Sequence, residues 1–383
     1  MKQLTRLFIP ICLETLFYML SGMVDTLMLS AVGDYAVGAV GTANSYIGIF
    51  IIMFSIISSG MVSVMTQNIG AGRPGVAYQA RQLGLLFNAV AGVLMAVFLF
   101  SGAGAILRMV GIADALYEPA LIYLKIVGGG CILNAVIPIF SSYLRAFGYT
   151  KQPLYATIVG NIANFVMNAV FLFVLHKGVA GVAAATVISK ILNLCIVLYF
   201  SHKLISAKNS TERIANKTVL GQIVKVGLPS ACETALYNVA MMLVIRFLNQ
   251  MDAEGLNVTA RSYTATISNF SYCVGAALAQ ANAIMTGWHI GAGELEECDR
   301  GTKRAAFVGV CVAVCMETAI VLGSGFIMPL FTDNPEMTAL VRKLLAIDIV
   351  LEIGRVTNLV FGQALKTSGD AVFPAVIAAV FMF

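Results

Sequence analysis

Residues 7–31 read LFIPICLETLFYMLSGMVDTLMLSA, an apolar run in which Glu14 and Asp25 are the only charges. As a helix rising 1.5 Å per residue it is long enough to cross the roughly 30 Å hydrocarbon core of a bilayer. It is too long for the apolar region of a signal peptide, and no small-residue cleavage motif follows it, so it reads as a retained first span. Part of it returns later: PICLETLFY at 10–18 recurs as PSACETALY at 229–237. A duplicated set of membrane helices follows from these two observations together.

Further spans of about 20 apolar residues fall at 44–67, 83–107, 119–144, 153–175 and 179–202. After the polar stretch KNSTERIANK at 208–217, more fall at 222–249, 259–288, 305–330 and 338–363, and an eleventh begins near 372. Of the 383 residues 59% are hydrophobic and only 11% charged, with a mean hydropathy of +0.88. A soluble domain carries about 25% charge, and so apolar a chain needs lipid as the solvent of its surface. The eight cysteines form no CxxC or Cys/His metal spacing and read as small buried hydrophobes.

Two more matches extend the duplication. IGAG at 69–72 recurs at 290–293, and RAFGYTKQP at 145–153 recurs as KTSGDAVFP at 366–374. Three matches in order, at offsets of 219 to 221, indicate internal repetition. Six spans in the first half return the chain to its starting side, so the repeats are parallel. The expected fold is all-α integral membrane, with two pseudo-symmetric six-helix bundles in a twelve-span design. Phe383 aligns with Ile162, so about eleven spans are expected here, the last incomplete. The expected division is an N-terminal bundle at 1–203, a linker at 204–220 and a C-terminal bundle at 221–383.

Basic residues gather in alternate loops: Lys2 and Arg6, Arg73 and Arg81, Arg145 and Lys151, Lys203, Lys208, Arg213 and Lys217, then Arg300, Lys303, Arg304 and Lys366. The opposite loops hold Asp34, Asp114, Glu118, Asp252, Glu254, Asp333 and Glu336, with Arg108 and Lys177 as basic exceptions. The excess of basic over acidic residues, net +5, therefore reads as charge placement across a plasma (inner) membrane, with the N-terminus cytoplasmic. No basic cluster with interleaved aromatics suggests a nucleic-acid partner.

Charges at bilayer depth are costly and point to function. At 100° per residue Glu14, Tyr18, Ser21 and Asp25 form one polar stripe on span one. Span seven repeats Glu233 and Tyr237 but has Val244 where Asp25 would align. Thr157, Asn161, Asn164 and Asn168 share a face of span five, and span six adds Thr186, Ser189, Lys190 and Asn193. Lys190 lies about 18 Å from water along its helix, so it needs an acidic partner or a wet cavity. Two readings of these helices stand: a polar cavity in the N-terminal half, or interhelical hydrogen bonding with a structural role. For Asp25 the choice lies between a carboxylate that exchanges a proton at working pH and one permanently paired with Lys190.

In span ten Asp348, Glu352 and Arg355 share a face. Glu352 with Arg355 is expected to form an ion pair, leaving Asp348 as the freer acid. Glu317, Arg246 and Arg261 are assigned only to cavity lining or snorkelling. Span eight, RSYTATISNFSYCVGAALAQANA at 261–283, is polar and small-residue-rich, which suits a helix that faces a cleft or packs closely.

PICLETLFYMLSGMVDTLMLSAVGDYAVGAVGTAN, the SSG followed by TQNIGAG, RAFGYTKQP, GNIANFVMN and ALKTSGD together resemble the multidrug and toxic compound extrusion (MATE) family of cation-coupled exporters. The resemblance runs along essentially the whole chain. It implies two six-helix bundles around a V-shaped cleft that rock between outward-open and inward-open states. The activity it implies is antiport, with cationic, amphipathic drugs exported in exchange for H⁺ or Na⁺. Carried over by motif, a cation-coupling site falls on Asp25, Asn164, Asn168 and Thr186. Asn168 stands where an acid is often present, which leaves Asp25 as the titrating group and the place for any Na⁺. No cofactor is expected beyond the coupling ion, and the partners are small organic cations or amphipathic drugs and the bilayer, with the transporter a monomer. Glu14, Tyr18, Asn161, Lys190, Glu233, Tyr237, Asp348, Glu352 and Arg355 are the further cavity residues.

An enzyme is not expected, because His176, His202 and His289 sit at span ends and no HExxH is present. Nothing resembles a channel filter. A lipid-linked saccharide flippase of similar architecture is the competing reading, and it calls for a basic cleft, whereas spans one and seven offer acids. A transport-inactive membrane protein is the remaining alternative, and it predicts no ion-dependent flux.

Overall fold

The computed structural model describes residues 2–109, 111–205, 212–251, 256–332 and 334–382. Lys208 of the linker and the loop acids Asp252, Glu254 and Asp333 lie outside the described residues. The described chain is all-helical, with twelve α-helices in order: α1 Lys2–Ser30, α2 Asp34–Gly70, α3 Pro74–Met109, α4 Asp114–Gly129, α5 Cys131–Ala146, α6 Lys151–Ala169, α7 Gly178–Leu204, α8 Asn216–Met251, α9 Leu256–Ala292, α10 Leu295–Ile327, α11 Pro335–Ser368 and α12 Val372–Met382.

Seven of these helices are long and apolar enough to cross a membrane, or eight if the bent pair α4 and α5 counts as one span. The protein is a multi-pass membrane protein. Large apolar side chains such as Leu27, Leu94, Phe173, Leu322 and Phe326 are exposed, which only a hydrocarbon solvent permits. The polar helix α9 is instead among the most enclosed, with Ser268, Ser271, Asn282 and Thr286 all buried. Its small residues let neighbouring backbones come close.

The span expected at 119–144 is bent: α4 and α5, which are long and apolar enough to cross a membrane only together, meet at 41°. The cause is local: Gly128, Gly129 and Gly130 follow one another, and a run without Cβ atoms weakens a helix interior. Gly130 also packs against Val187, where an added Cβ would come to 3.1 Å.

The repeat seen in the sequence is reproduced in the packing. In the first half α1 packs on α6, α2 and α3 pack on α4 and α5, and in the second half α8 packs on α12, and α9 on α10 and α11. The first helix of each half also crosses to the second helix of the other, α1 to α9 and α8 to α2. Leu4, Leu7 and Ile11 thus share a buried core with Ala277, Ala281, Ile284 and Val356. Val219 and Ile223 do the same with Met61, Met65, Ile139 and Tyr143.

At the end that carries Arg73, Arg145 and Lys151, called the basic end below, the two halves meet through reciprocal contacts. A Cβ on Gly70 would lie 2.1 Å from the Trp288 carbonyl oxygen, and one on Gly291 would lie 1.9 Å from that of Gln67. Gly70 aligns with Gly291 and Gln67 with Trp288, so one contact is the other turned about the pseudo-two-fold axis. The hydrogen bonds follow the same rule: Gln67 Nε2 donates to the Thr367 carbonyl at 2.5 Å, and Trp288 Nε1 donates to the Ala146 carbonyl at 2.9 Å. Both acceptors are carbonyls in the last turn of a helix, left free by the helix geometry itself.

Candidate functional site

Above this seal the halves diverge around a cleft of about 960 Å³. Its walls come from α1, α2, α4 to α9 and α11, and they are rich in hydroxyls and amides, including Ser21, Asn44, Ser58, Ser142, Asn161, Asn193, Thr234 and Gln363. Such a lining is more polar than that of an ordinary small-molecule pocket.

The polar face of α6 docks along the stripe of α1. Asn168 Nδ2 donates to Asp25 Oδ1 at 2.7 Å and to Asn164 Oδ1 at 3.1 Å, using both of its protons. Asn161 Nδ2 donates to the Phe17 carbonyl at 2.9 Å, and the Thr157 hydroxyl reaches Glu14 Oε1 at 3.4 Å. Asn168 is fully buried and its Oδ1 has no partner among the described residues. Asp25 and Asn168 therefore leave oxygens free to accept a proton or ligate a small cation. A π-helical turn, Val170–Val174, follows directly on α6, and such turns are frequent at functional sites. Thr186 lines the same cleft, with its hydroxyl donating to the Val182 carbonyl at 2.9 Å.

Of its two expected settings, an acidic partner or a wet cavity, Lys190 takes the second and lines the cleft. It forms no ion pair with Asp25 or another acid among the described residues; its Nζ donates to Asn134 Oδ1 at 2.8 Å on α5. Asp25 accepts from Asn168 instead, and the kink at Gly130 carries α5 across to α7.

Glu14 is not a free acid either. Arg145 holds it at 2.6 Å, and in the second half Lys366 holds Glu233 at 2.8 Å. The alignment that pairs Glu14 with Glu233 also pairs Arg145 with Lys366, so the repeat carries the same ion pair twice. Arg145 further donates to Gln280 Oε1 across the halves at 3.1 Å. The charged lining of the cleft thus consists of Glu14 and Asp25 against Arg145, Lys190 and Lys366.

Tyr18 stands in the cleft wall, whereas Glu233, Tyr237, Asp348, Glu352 and Arg355 are not among its lining residues. The last three form a cluster in the second half, with both acids buried and Arg355 half-buried. Arg355 pairs with Glu352 as expected, and it also reaches Asp348 at 3.3 Å, which corrects the expectation of a freer Asp348. Positions 348, 352 and 355 face one way, and one guanidinium fork serves both acids. Glu317 on α10, assigned from the sequence only to cavity lining or snorkelling, is the third acid of this cluster, and its Oε1 accepts from the Ser268 hydroxyl at 2.9 Å. Ligand oxygens of Glu317, Asp348 and Glu352 lie within 4.8 Å of one another. Three carboxylates against one arginine can hold a cation or shared protons.

Comparison with known proteins agrees with this architecture. The MatE family model matches residues 10–170 and 229–383, which are the two repeats. The chain is 32% identical to "Uncharacterized transporter YisQ" of Bacillus subtilis (strain 168) over 380 residues, 98% of this chain and 83% of that protein. A solved structure described as the outward-facing conformation of a multidrug resistance MATE family transporter of the MOP superfamily superposes with a TM-score of 0.87 at 20% identity, covering 98% of this chain and 84% of the other. A MATE protein in the straight conformation superposes with the same TM-score at 21% identity and the same coverages.

Proposed function

The chain belongs to the MatE family of membrane transporters, and on that premise we propose that it is a secondary antiporter exporting amphipathic drugs or metabolites, organic cations among them, in exchange for H⁺ or Na⁺. One observation carries the coupling part of this reading. Asp25 is a cleft-wall carboxylate bound by the neutral amide of Asn168, with Lys190 within electrostatic reach but not paired to it, so its charge is open to compensation by an entering cation. The aligned position in the second half is Val244, so this element belongs to the first half alone.

Transport then proceeds by rocking of the two halves about the pseudo-two-fold axis. The seal at the basic end, through Gly70, Gly291, Gln67 and Trp288, supports an outward-facing state when that end is placed in the cytoplasm of a cell with this protein in its plasma membrane. A cation arriving from outside neutralises Asp25 and loosens its bond to Asn168. The seal opens, and substrate enters from within.

The test is ethidium efflux from proteoliposomes under an imposed pH gradient and then a Na⁺ gradient, with the native chain and with Asp25→Asn. Flux that follows one gradient and is lost in the variant identifies the ion. Flux that survives Asp25→Asn under the same gradient sinks the assignment of coupling to Asp25 and moves attention to the Glu317, Asp348 and Glu352 cluster.

A further inference from the structure

The charges of the cleft wall do not balance evenly. Glu14 is bound by Arg145, Lys366 by Glu233, and Asp25 accepts from Asn168. Lys190 is left as the cationic side chain of the wall with no acid within ion-pair distance among the described residues.

Its surroundings are short of acceptors. An ammonium offers three donors, and the one partner shown for Lys190 is Asn134 Oδ1 at 2.8 Å. Because Asn134 accepts through its oxygen, its Nδ2 points elsewhere, and among the described residues that buried donor has no oxygen or nitrogen partner, only the weak acceptor Cys131 beside it. Asp25 and Cys131 lie within electrostatic reach of Lys190, though neither forms an ion pair with it among the described residues, and its neighbours along the helix are neutral: Ser189 donates its proton to the Thr186 carbonyl at 2.9 Å, and Asn193 stands one turn on in the cleft wall. A surplus of donors around one positive charge, about 18 Å from water along the helix, is the complement of an acceptor-rich anion.

We propose that Lys190, with Asn134, is a subsite for an anionic group of the transported molecule, a carboxylate or sulfonate on a water-soluble amphipathic compound. The assignment rests on the antiport reading and names a substrate class for it. It also has an electrical consequence. Exporting a monoanion against one entering cation moves two positive charges inward, so a negative-inside membrane potential drives it, whereas exchange of a monocation for one cation is electroneutral.

The experiment uses the full chain in phosphatidylcholine nanodiscs without any gradient. Fluorescence anisotropy measures binding of 7-methoxycoumarin-3-carboxylate and of its carboxamide, which matches it in shape without the charge. Saturable binding of the carboxylate, at least tenfold tighter than the amide, is expected in the native protein. Lys190→Gln should lose that preference and Lys190→Arg should keep it. Equal binding of the two probes, or no carboxylate binding, overturns the proposal, and because both are read on the native chain a poorly folded variant does not obscure the result. Loss of carboxylate binding when phosphatidylglycerol is added assigns the subsite to a lipid headgroup and also overturns it. The two readings fail separately: ethidium efflux without carboxylate binding removes the subsite alone, and Lys190-dependent carboxylate binding with no flux of either ethidium or the carboxylate probe under either gradient removes antiport alone.

Discussion

Adding one methyl group at Gly291 should open the seal at the basic end. The new Cβ would stand 1.9 Å from the Gln67 carbonyl oxygen and 2.8 Å from the Ala71 nitrogen, both backbone atoms that cannot swing aside. Ordinary contact begins at 3.4 Å, so α2 and α9 must part by about 1.5 Å, an overpacking that costs about 1–3 kcal/mol. Parting also stretches the Gln67 to Thr367 and Trp288 to Ala146 hydrogen bonds, each worth about 1 kcal/mol net. The penalty falls on the sealed state alone, because the clash vanishes once the helices separate. At about 1.4 kcal/mol per factor of ten, a total of about 3–5 kcal/mol shifts the equilibrium toward the open-seal state by roughly a hundred-fold to several thousand-fold. Trp288 is the only tryptophan in the chain and lies in this seal, so its emission reports the event without a label. Gly291→Ala should red-shift that emission and increase acrylamide quenching. Gly221→Ala, where an added Cβ meets nothing within 4 Å, should leave both unchanged. Unaltered quenching in a folded Gly291→Ala protein would refute the argument that this close approach holds the end shut.

Three other outcomes are expected. Arg145→Gln should lower the melting temperature by leaving Glu14 unpaired, and the charge swap Glu14→Arg with Arg145→Glu should recover part of it, with a coupling energy of about 0.5–3 kcal/mol in a double-mutant cycle; simple additivity would refute the pair. Arg355→Met should cost about 3–5 kcal/mol in denaturation, because Glu317, Asp348 and Glu352 then share a buried site without their counter-charge, and adding Glu352→Gln should restore part of the loss. Asn168→Ala should weaken the dependence of efflux on the driving ion by about tenfold without abolishing substrate binding, as the loss of one charge-assisted hydrogen bond to Asp25 predicts; an unchanged ion dependence would show that the bond plays no part in coupling.

Much of the architecture was legible because lipid makes span length and hydropathy decisive, and because PICLETLFY and PSACETALY expose the repeat. The shared face of Thr157, Asn161, Asn164 and Asn168 was readable from the helical period, since residues on one helix carry their register with them. What periodicity does not supply is the register between helices. Glu317 and Asp348 belong to separate helices whose relative slide no pattern encodes, and the Lys190 partner lies 56 residues away on a helix re-aimed by a glycine break. One long-range feature was nonetheless available. The repeat that aligns Glu14 with Glu233 at an offset of 219 aligns Arg145 with Lys366 at 221, so a duplicated ion pair was recoverable by asking which opposite charges repeat together.

The crossing of the first helix of each half into the other half's core bears on how the chain is made. Leu7 and Ile11 find their partners on α9, among them Ala281, which leaves the ribosome some 270 residues later. At about 5–20 residues per second that is a wait of roughly 15–50 s during which α1 sits in the bilayer with its packing face bare. Its acids are provided for sooner, since Arg145 and Asn168 both emerge within the first half. Two separately expressed halves should therefore each insert yet remain incompletely packed, and co-expression should restore a stable pair.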